Sequence, residues 1–343
     1  MKHRRGCGPA PPAWRYCLPI LLVAASLVAG CGDQSTLEPK SRPAREIEQL
    51  WWGMLIAASV VFLGAVGMLA LAWWRRRRRG LPVLGERERF TDGLVVVFGI
   101  VIPVVVLVSL FVVANLIVAK DTEAPASGTT QLSMRVIGRQ WFWEVRYPGT
   151  SVVTANEIHI PVRTRVNVLT NTADVLHSFW VPELNRKIDL VNARTNRVLL
   201  YADKPGVYRG QCAELCGLQH THMAFEVIAE PQDRFRAWLA NMAKPAAAPA
   251  TPTARQGQQV FLTHQCASCH TIAGTPAHGR IGPDLTHVAS RRTLAALTIP
   301  NTRRELAKWI HDPQRIKPGN KMPALGLSDA EVDAVADYLA GLR

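Results

Sequence analysis

The stretch Gly210-Gln-Cys212-Ala-Glu214-Leu-Cys216-Gly-Leu-Gln-His220-Thr-His222-Met223 decides how this chain is read. Thiolate, imidazole and thioether donors crowd into one short loop, and that mixture suits copper. A mononuclear copper site needs one cysteine, two histidines and a weak methionine. Cys216, His220 and Met223 would fill that scheme and leave Cys212 surplus. Two thiolates can instead bridge two copper ions that share one electron, which lowers the reorganisation accompanying each transfer. A Cys212–Cys216 disulfide, at home in an oxidising compartment, is the competing reading, but it leaves Glu214, His220 and Met223 unexplained. On spacing alone His222 competes with His220. A second histidine must come from elsewhere. His177, in Asp174-Val-Leu-His-Ser-Phe-Trp180, is the best candidate, near the end of an expected strand and beside aromatics that would exclude water. The competing reading is a satisfied core histidine.

Around this loop, residues 130–242 alternate in short runs. Gln131–Ile137, Gln140–Tyr147, Glu157–Val162, Arg165–Leu169, Arg197–Tyr201 and Ala224–Ile228 read as strands. Pro148-Gly149 and Lys204-Pro205-Gly206 punctuate them. A β-sandwich or Greek-key barrel is expected, closed by a helix over 231–242. Trp141 and Trp143 alternate, which places both on one strand face with Phe142 on the other. An Ala/Pro-rich linker follows at 243–253. Residues 254–343 then form a small helical domain, a size that benefits from a cofactor as a staple.

That last segment carries Cys266-Ala-Ser-Cys269-His270, a c-type haem attachment signature. Two thiols at this spacing reach two vinyl groups from one helical turn, and His270 meets the iron. Pro318-Gly-Asn-Lys-Met322-Pro323 resembles the methionine loop of class I c-type cytochromes, and methionine opposite histidine raises the haem potential. His264, His278, His287 and His311 are rival axial ligands. Gly282-Pro283-Asp284-Leu285 and a C-terminal helix over 329–342 fit the same fold.

Towards the N-terminus, basic residues and a short apolar stretch, Cys17–Ala29, read as an export signal over 1–30. It ends in Leu27-Val28-Ala29-Gly30-Cys31, which resembles a bacterial lipoprotein cleavage site with Cys31 lipidated. Trp51–Trp74 runs 24 residues without a charge, about 36 Å of helix against a bilayer core of about 30 Å. Tryptophan pairs at both of its ends match interfacial belts. A second uncharged run, Leu94–Val118, tolerates Pro103 as membrane helices do. A transmembrane hairpin over 47–119 follows. The arginine run Arg75–Arg79 lies between the spans, so that loop stays cytoplasmic and everything after Val118 lies outside. The 40 Lys and Arg against 26 Asp and Glu give a net charge of +14. Because the clustered charge is a topology signal, with no basic stripe interleaved with aromatics, nucleic acid is excluded as a partner.

Over residues 47–232 the chain resembles subunit II of haem–copper cytochrome c oxidases, on Gln140-Trp-Phe-Trp143, Val175-Leu-His-Ser-Phe-Trp-Val-Pro182 and the Cys-x-Glu-x-Cys-x₃-His-x₂-Met loop. With a class I cytochrome c fused behind it, it resembles the caa-type oxidases. The resemblance implies a cupredoxin-like domain holding a dinuclear copper (CuA) centre. Cys212 and Cys216 would be bridging thiolates, His177 and His220 terminal imidazoles, Met223 the weak ligand and Glu214 a carbonyl ligand. The Glu214 carboxylate would reach magnesium at the subunit I boundary, and Trp141 would be where electrons come in. Expected partners are subunits I and III, a c-type cytochrome or quinol-oxidising complex as donor, and membrane lipid. The expected location is the bacterial inner membrane, spanned more than once, with both redox domains on the periplasmic side. Oxygen reduction belongs to subunit I, since this chain lacks helices bearing several histidines. Another terminal reductase such as a nitric oxide reductase, a free-standing carrier lipoprotein and a copper-delivery protein are the alternatives. Family members often carry a glutamate at the start of the second span. Here Val96 sits near that place, the nearest acids are Glu86, Glu88 and Asp92, and the role is assigned to none of them.

Overall fold

The computed structural model describes residues 34–77, 88–123 and 130–343. The expected export signal, Cys31 and the end of the arginine run lie outside these residues. Helix α1, Arg42–Arg77, carries the first apolar run. Helix α2 runs from Glu88 to Thr122, with π-helical turns at Val97–Val101 and Ala114–Val118. Pro103 has no N–H to give the preceding turn, and the first π turn immediately before it absorbs that missing bond. Both helices are long and apolar enough to cross a membrane, and their apolar side chains are exposed. Arg77 stacks its guanidinium 3.7 Å from the ring centre of Trp73. The start of α1 is pinned to the β domain, where the Lys40 N–H donates to Glu183 O at 2.9 Å and Lys40 O accepts from Asp203 N–H at 3.0 Å.

Ten strands build two five-stranded sheets. One has the order β3-β2-β1-β5-β8: Val153–Ala155, Phe142–Arg146, Leu132–Arg139, Val166–Thr172 and Asn196–Leu200. The other has the order β4-β10-β9-β6-β7: Glu157–Pro161, Ala224–Glu230, Gly206–Cys212, His177–Trp180 and Ile188–Leu190. Neighbours are antiparallel except for the β1/β5 and β4/β10 pairs. Alternate inward residues form the core between the sheets. At its centre Trp143, Phe179 and Phe225 meet edge-on and stacked, with ring centroids 4.6–5.9 Å apart. Helix α3, Gln232–Met242, closes one side through Phe235 and Met242.

Two expectations are corrected here. Gln140 and Trp141 form a turn, and β2 begins at Phe142. Strand alternation therefore does not reach Trp141: Trp143 is fully buried in the core, whereas Trp141 is half-buried. His177 opens strand β6 and does not end one. Four strands escape the sequence pattern. Among them, β9 carries Gly206, Arg209 and Gly210, which dilute its β-branched signal.

The C-terminal part is helical: α4 Pro252–Thr263, α5 Cys266–Cys269, α6 Arg303–His311, α7 Pro313–Ile316 and α8 Asp329–Ala340. A small ribbon, Thr293–Leu294 with Ile299–Pro300, interrupts them. The Thr251 hydroxyl caps α4, and a Ser328/Glu331 capping box starts α8. These two helices pack together through Val260, Phe261, Val335, Tyr338 and Leu339. The linker is less free than its composition implies. Ala246 N–H donates to Ala273 O at 2.9 Å, and His287 Nε2–H donates to Lys244 O at 3.0 Å.

Candidate metal centre and adjoining pocket

The donor-rich loop connects β9 to β10. Its base is closed by Cys212 N–H donating to Met223 O at 2.9 Å and Ala213 N–H donating to Ser178 O at 3.0 Å. Strand β6 pairs with β9, with Phe179 opposite Cys212, so His177 arrives beside the loop from the neighbouring strand. The side chains converge. Cys212 Sγ lies 3.8 Å from His177 Nδ1, 3.7 Å from Cys216 Sγ and 3.2 Å from Glu214 O. Cys216 Sγ lies 3.6 Å from His220 Nδ1 and 3.7 Å from Met223 Sδ. Each thiol thus has its own imidazole. Both cysteines are free and buried. Bonds of about 2.0–2.3 Å to nitrogen and sulfur separate tetrahedral donors by roughly 3.3–3.8 Å, so this spacing fits soft first-row metal ions. His222 points elsewhere, with Nδ1 2.8 Å from Gln219 Oε1.

Electrostatics ready one of the two thiols for ligation and tie the other donors to it. The hydrogen bond from Cys216 and those from His177 and the backbone pull the Cys212 thiol well below the usual thiol range against its burial. Cys216 in turn is pushed up by that partner and by burial. His177 is fully buried. Burial alone would lower its pKa, but the bonds to Asp174 and Cys212 outweigh it and raise it. A carboxylate only accepts, so the 2.9 Å contact between His177 Nε2 and Asp174 Oδ1 puts the ring proton on Nε2. Nδ1 is then left facing the sulfur. Gly138 makes room for this ring, since a Cβ there would stand 2.7 Å from His177 Cδ2. Asp174 also accepts from Gln140 N–H at 2.7 Å and Val175 N–H at 2.8 Å. Sequence reasoning missed Asp174, although it stands three residues before His177, a spacing that allows such a bond.

Trp141 lies against the loop. Its indole N–H donates to Cys216 O at 3.1 Å, and Gln140 Nε2–H donates to the same carbonyl at 2.9 Å. On its other side Trp141 lines a largely apolar cavity in the helical domain. Cys266, Cys269, His270 and Met322 line that cavity too. His264, His278, His287 and His311 are not among its lining residues. His270 Nδ1–H donates to Pro283 O at 2.8 Å, leaving Nε2 free. Burial lowers the His270 pKa and keeps the ring in the neutral form that can ligate iron. A Cβ on Gly282 would stand 2.4 Å from the imidazole, so only glycine fits beside it. Two free thiols, a neutral imidazole and a thioether around an apolar cavity fit a covalently held haem.

The fold and these sites define a membrane-anchored redox protein with a copper-type cluster in a β-sandwich and a haem-type pocket behind it. Residues 150–230 match the family described as cytochrome C oxidase subunit II, periplasmic domain, and residues 254–343 match cytochrome c. Cytochrome c oxidase subunit 2 of Alkalihalophilus pseudofirmus is 33% identical over 334 residues, spanning 95% of this chain and 96% of that protein. The protein of the same name from Bacillus sp. PS3 is 28% identical, over 93% and 95%. The solved periplasmic domain of subunit II of cytochrome oxidase from Bradyrhizobium japonicum is 28% identical and covers 34% of this chain and 96% of that one, with a TM-score of 0.33. The chain belongs to the cytochrome c oxidase subunit 2 family, in the form that carries a cytochrome c domain.

Proposed function

We propose that this chain is the electron-transferring subunit II of a proton-pumping haem–copper oxidase. His177, Cys212, Cys216, His220, Met223 and the Glu214 carbonyl would hold a dinuclear copper centre. Cys266 and Cys269 would bind haem c covalently, with His270 and Met322 on the iron. The two groups supply one-electron carriers of low reorganisation. The chain's own residues do the rest. The β9–β10 connection holds four donor side chains in place, and Asp174 orients the fifth. The apolar walls of the pocket exclude water, and Trp141 spans the gap between the two sites.

The observation that carries this reading is the convergence of two thiols, two imidazoles and a thioether, with neighbouring donors 3.6–3.8 Å apart. Electrons would come from a c-type cytochrome or a quinol-oxidising complex and leave to subunit I, where oxygen is reduced. Subunit III completes the expected complex. α1 and α2 would cross the bacterial inner membrane, leaving both redox domains on the periplasmic side, and the Glu214 carboxylate would reach magnesium at the subunit I boundary. Purification of the complex tests this. Two coppers and one haem c per chain, a copper spin resonance split by two equivalent nuclei, and oxygen uptake with reduced cytochrome c are expected. Absence of copper, with Cys212 and Cys216 cross-linked to each other, would overturn it.

A further inference from the structure

Lys317 is 2% exposed, yet it carries an ammonium group. Its Nζ donates to Trp141 O at 2.9 Å, His222 O at 2.7 Å and Ala295 O at 3.1 Å. An ammonium has three N–H donors and no acceptor, and all three are used. Two of the carbonyls belong to the copper-side domain, and the third belongs to the helical domain's own turn. A buried charge is tolerated only when its partners are complete, so the lysine fits this place while the two domains are together. Burial draws its pKa down to about 7, but three acceptors and no donor around Nζ favour the protonated form.

The neighbouring contacts point the same way. Lys321 Nζ lies 3.2 Å from Asp174 Oδ2, on the carboxylate whose other oxygen holds His177. Gln219 Nε2–H donates to Pro318 O at 2.6 Å. On another part of the interface, Arg292 N–H donates to Glu157 Oε1 at 2.5 Å. Residues 317–321 therefore grip both halves of the copper site. Ala295, Ala296 and Leu297 all sit in the left-handed region, with φ of 53°, 59° and 65°. Such a run persists where its surroundings fix it, and Lys317 is part of those surroundings.

We propose that Lys317 is a positioning residue that locks the haem domain onto the copper loop in one docked pose, so that electrons pass between the two sites without the domain swinging on its linker. This rests on the function proposed above. The step would move one electron, given up by a haem held at His270 and Met322 and taken by a copper pair held at Cys212 and Cys216, with no bond formed or broken. Lys317 acts through Trp141, whose carbonyl it holds while the indole bonds Cys216 O and the ring lines the haem cavity. A donor must then reduce the haem while the domain is docked.

The test uses the assembled oxidase. After flash photoreduction of the haem, the rate of electron passage to copper is measured as glycerol raises the viscosity. In the unaltered protein the rate should not change with viscosity. In Lys317→Met it should fall by at least about tenfold and become viscosity-dependent. Deuterium uptake at residues 140–142 and 219–223 should rise, and Lys317→Arg should restore part of the rate. A viscosity-dependent rate in the unaltered protein overturns the proposal and needs no variant to fold. So does a Lys317→Met protein with unchanged rate and uptake. Copper and haem content, measured on the same samples, separates this outcome from failure of the functional reading, which would show as missing metal.

Discussion

The copper loop and the haem pocket solve the same problem by opposite means. In the loop, four donor side chains sit between Cys212 and Met223, and the strands β9 and β10 clamp both ends. The ligand geometry is set by a hydrogen-bonded sandwich that has its own core of Trp143, Phe179 and Phe225. In the pocket, Cys266 and Cys269 lie on one short helix with His270 in extended backbone directly after it, while Met322 comes from a segment without regular structure. The walls of the pocket, such as Leu285, Leu306 and Leu339, are the core of the small domain itself. One cofactor would be an addition to a finished fold, and the other would be part of the fold. Loss of the ligands should therefore damage function in the first region and structure in the second.

The largest effect is expected from Cys216→Ser. It removes one of the two thiols and leaves Cys212 without the partner that lowers its pKa. The split copper resonance should vanish and oxygen uptake with it, while the thermal midpoint of the β domain moves by roughly a few degrees at most. Large unfolding of the β domain would break the comparison. Next comes the double substitution Cys266→Ser with Cys269→Ser. Without the covalent bonds, a domain of this size loses its staple. Residues 254–343 should become sensitive to protease while the β domain stays resistant and keeps its copper signal. Equal resistance of both regions would sink the idea that haem is a structural part of the pocket.

Asp174→Asn sharpens the contrast from the copper side. The amide keeps the size of the carboxylate but loses the charge that fixes the proton on His177 Nε2 and pairs with Lys321. Outer partners of this kind are worth about 10–100-fold in metal affinity. Copper retention against a chelator should fall within that range, with the haem spectrum unchanged. Unchanged retention would mean that the strand position of His177 alone is enough.

The sequence reveals these two regions unequally. The donors of the loop are adjacent in the chain, and their chemistry is unusual enough to identify without a fold. The haem attachment signature is similarly local. Asp174 is harder to see, because its role depends on which ring nitrogen of His177 it meets. Alternation alone assigns Trp141 to a strand face, but the turn at Gln140 breaks the alternation before it reaches β2. Lys317 was invisible. It stands 176 residues from Trp141, and the pairing exists only because one domain rests on the other. A lysine in a polar stretch gives no hint that it will be buried.

The smallest expected effect tests the interface from its other side. Burial raises the pKa of Glu157, and the Arg292 N–H and the charge of Arg291 lower it only in part. His159 also lowers it, and Glu226, itself paired with Arg292 at 3.3 Å, raises it further. A carboxyl with a raised folded-state pKa keeps its proton where the unfolded chain has already released it. Stability should therefore fall as pH climbs from the ordinary glutamate range through the raised folded-state value, and stay lower above it. Glu157→Gln still accepts the Arg292 N–H bond but cannot ionise. Its thermal midpoint, followed by calorimetry on the full chain, should decline less than that of the unaltered protein across this window, and should exceed it above the window by roughly a few degrees at most. Parallel curves would mean that the carboxyl is ionised at little cost, with the two arginines compensating for its burial.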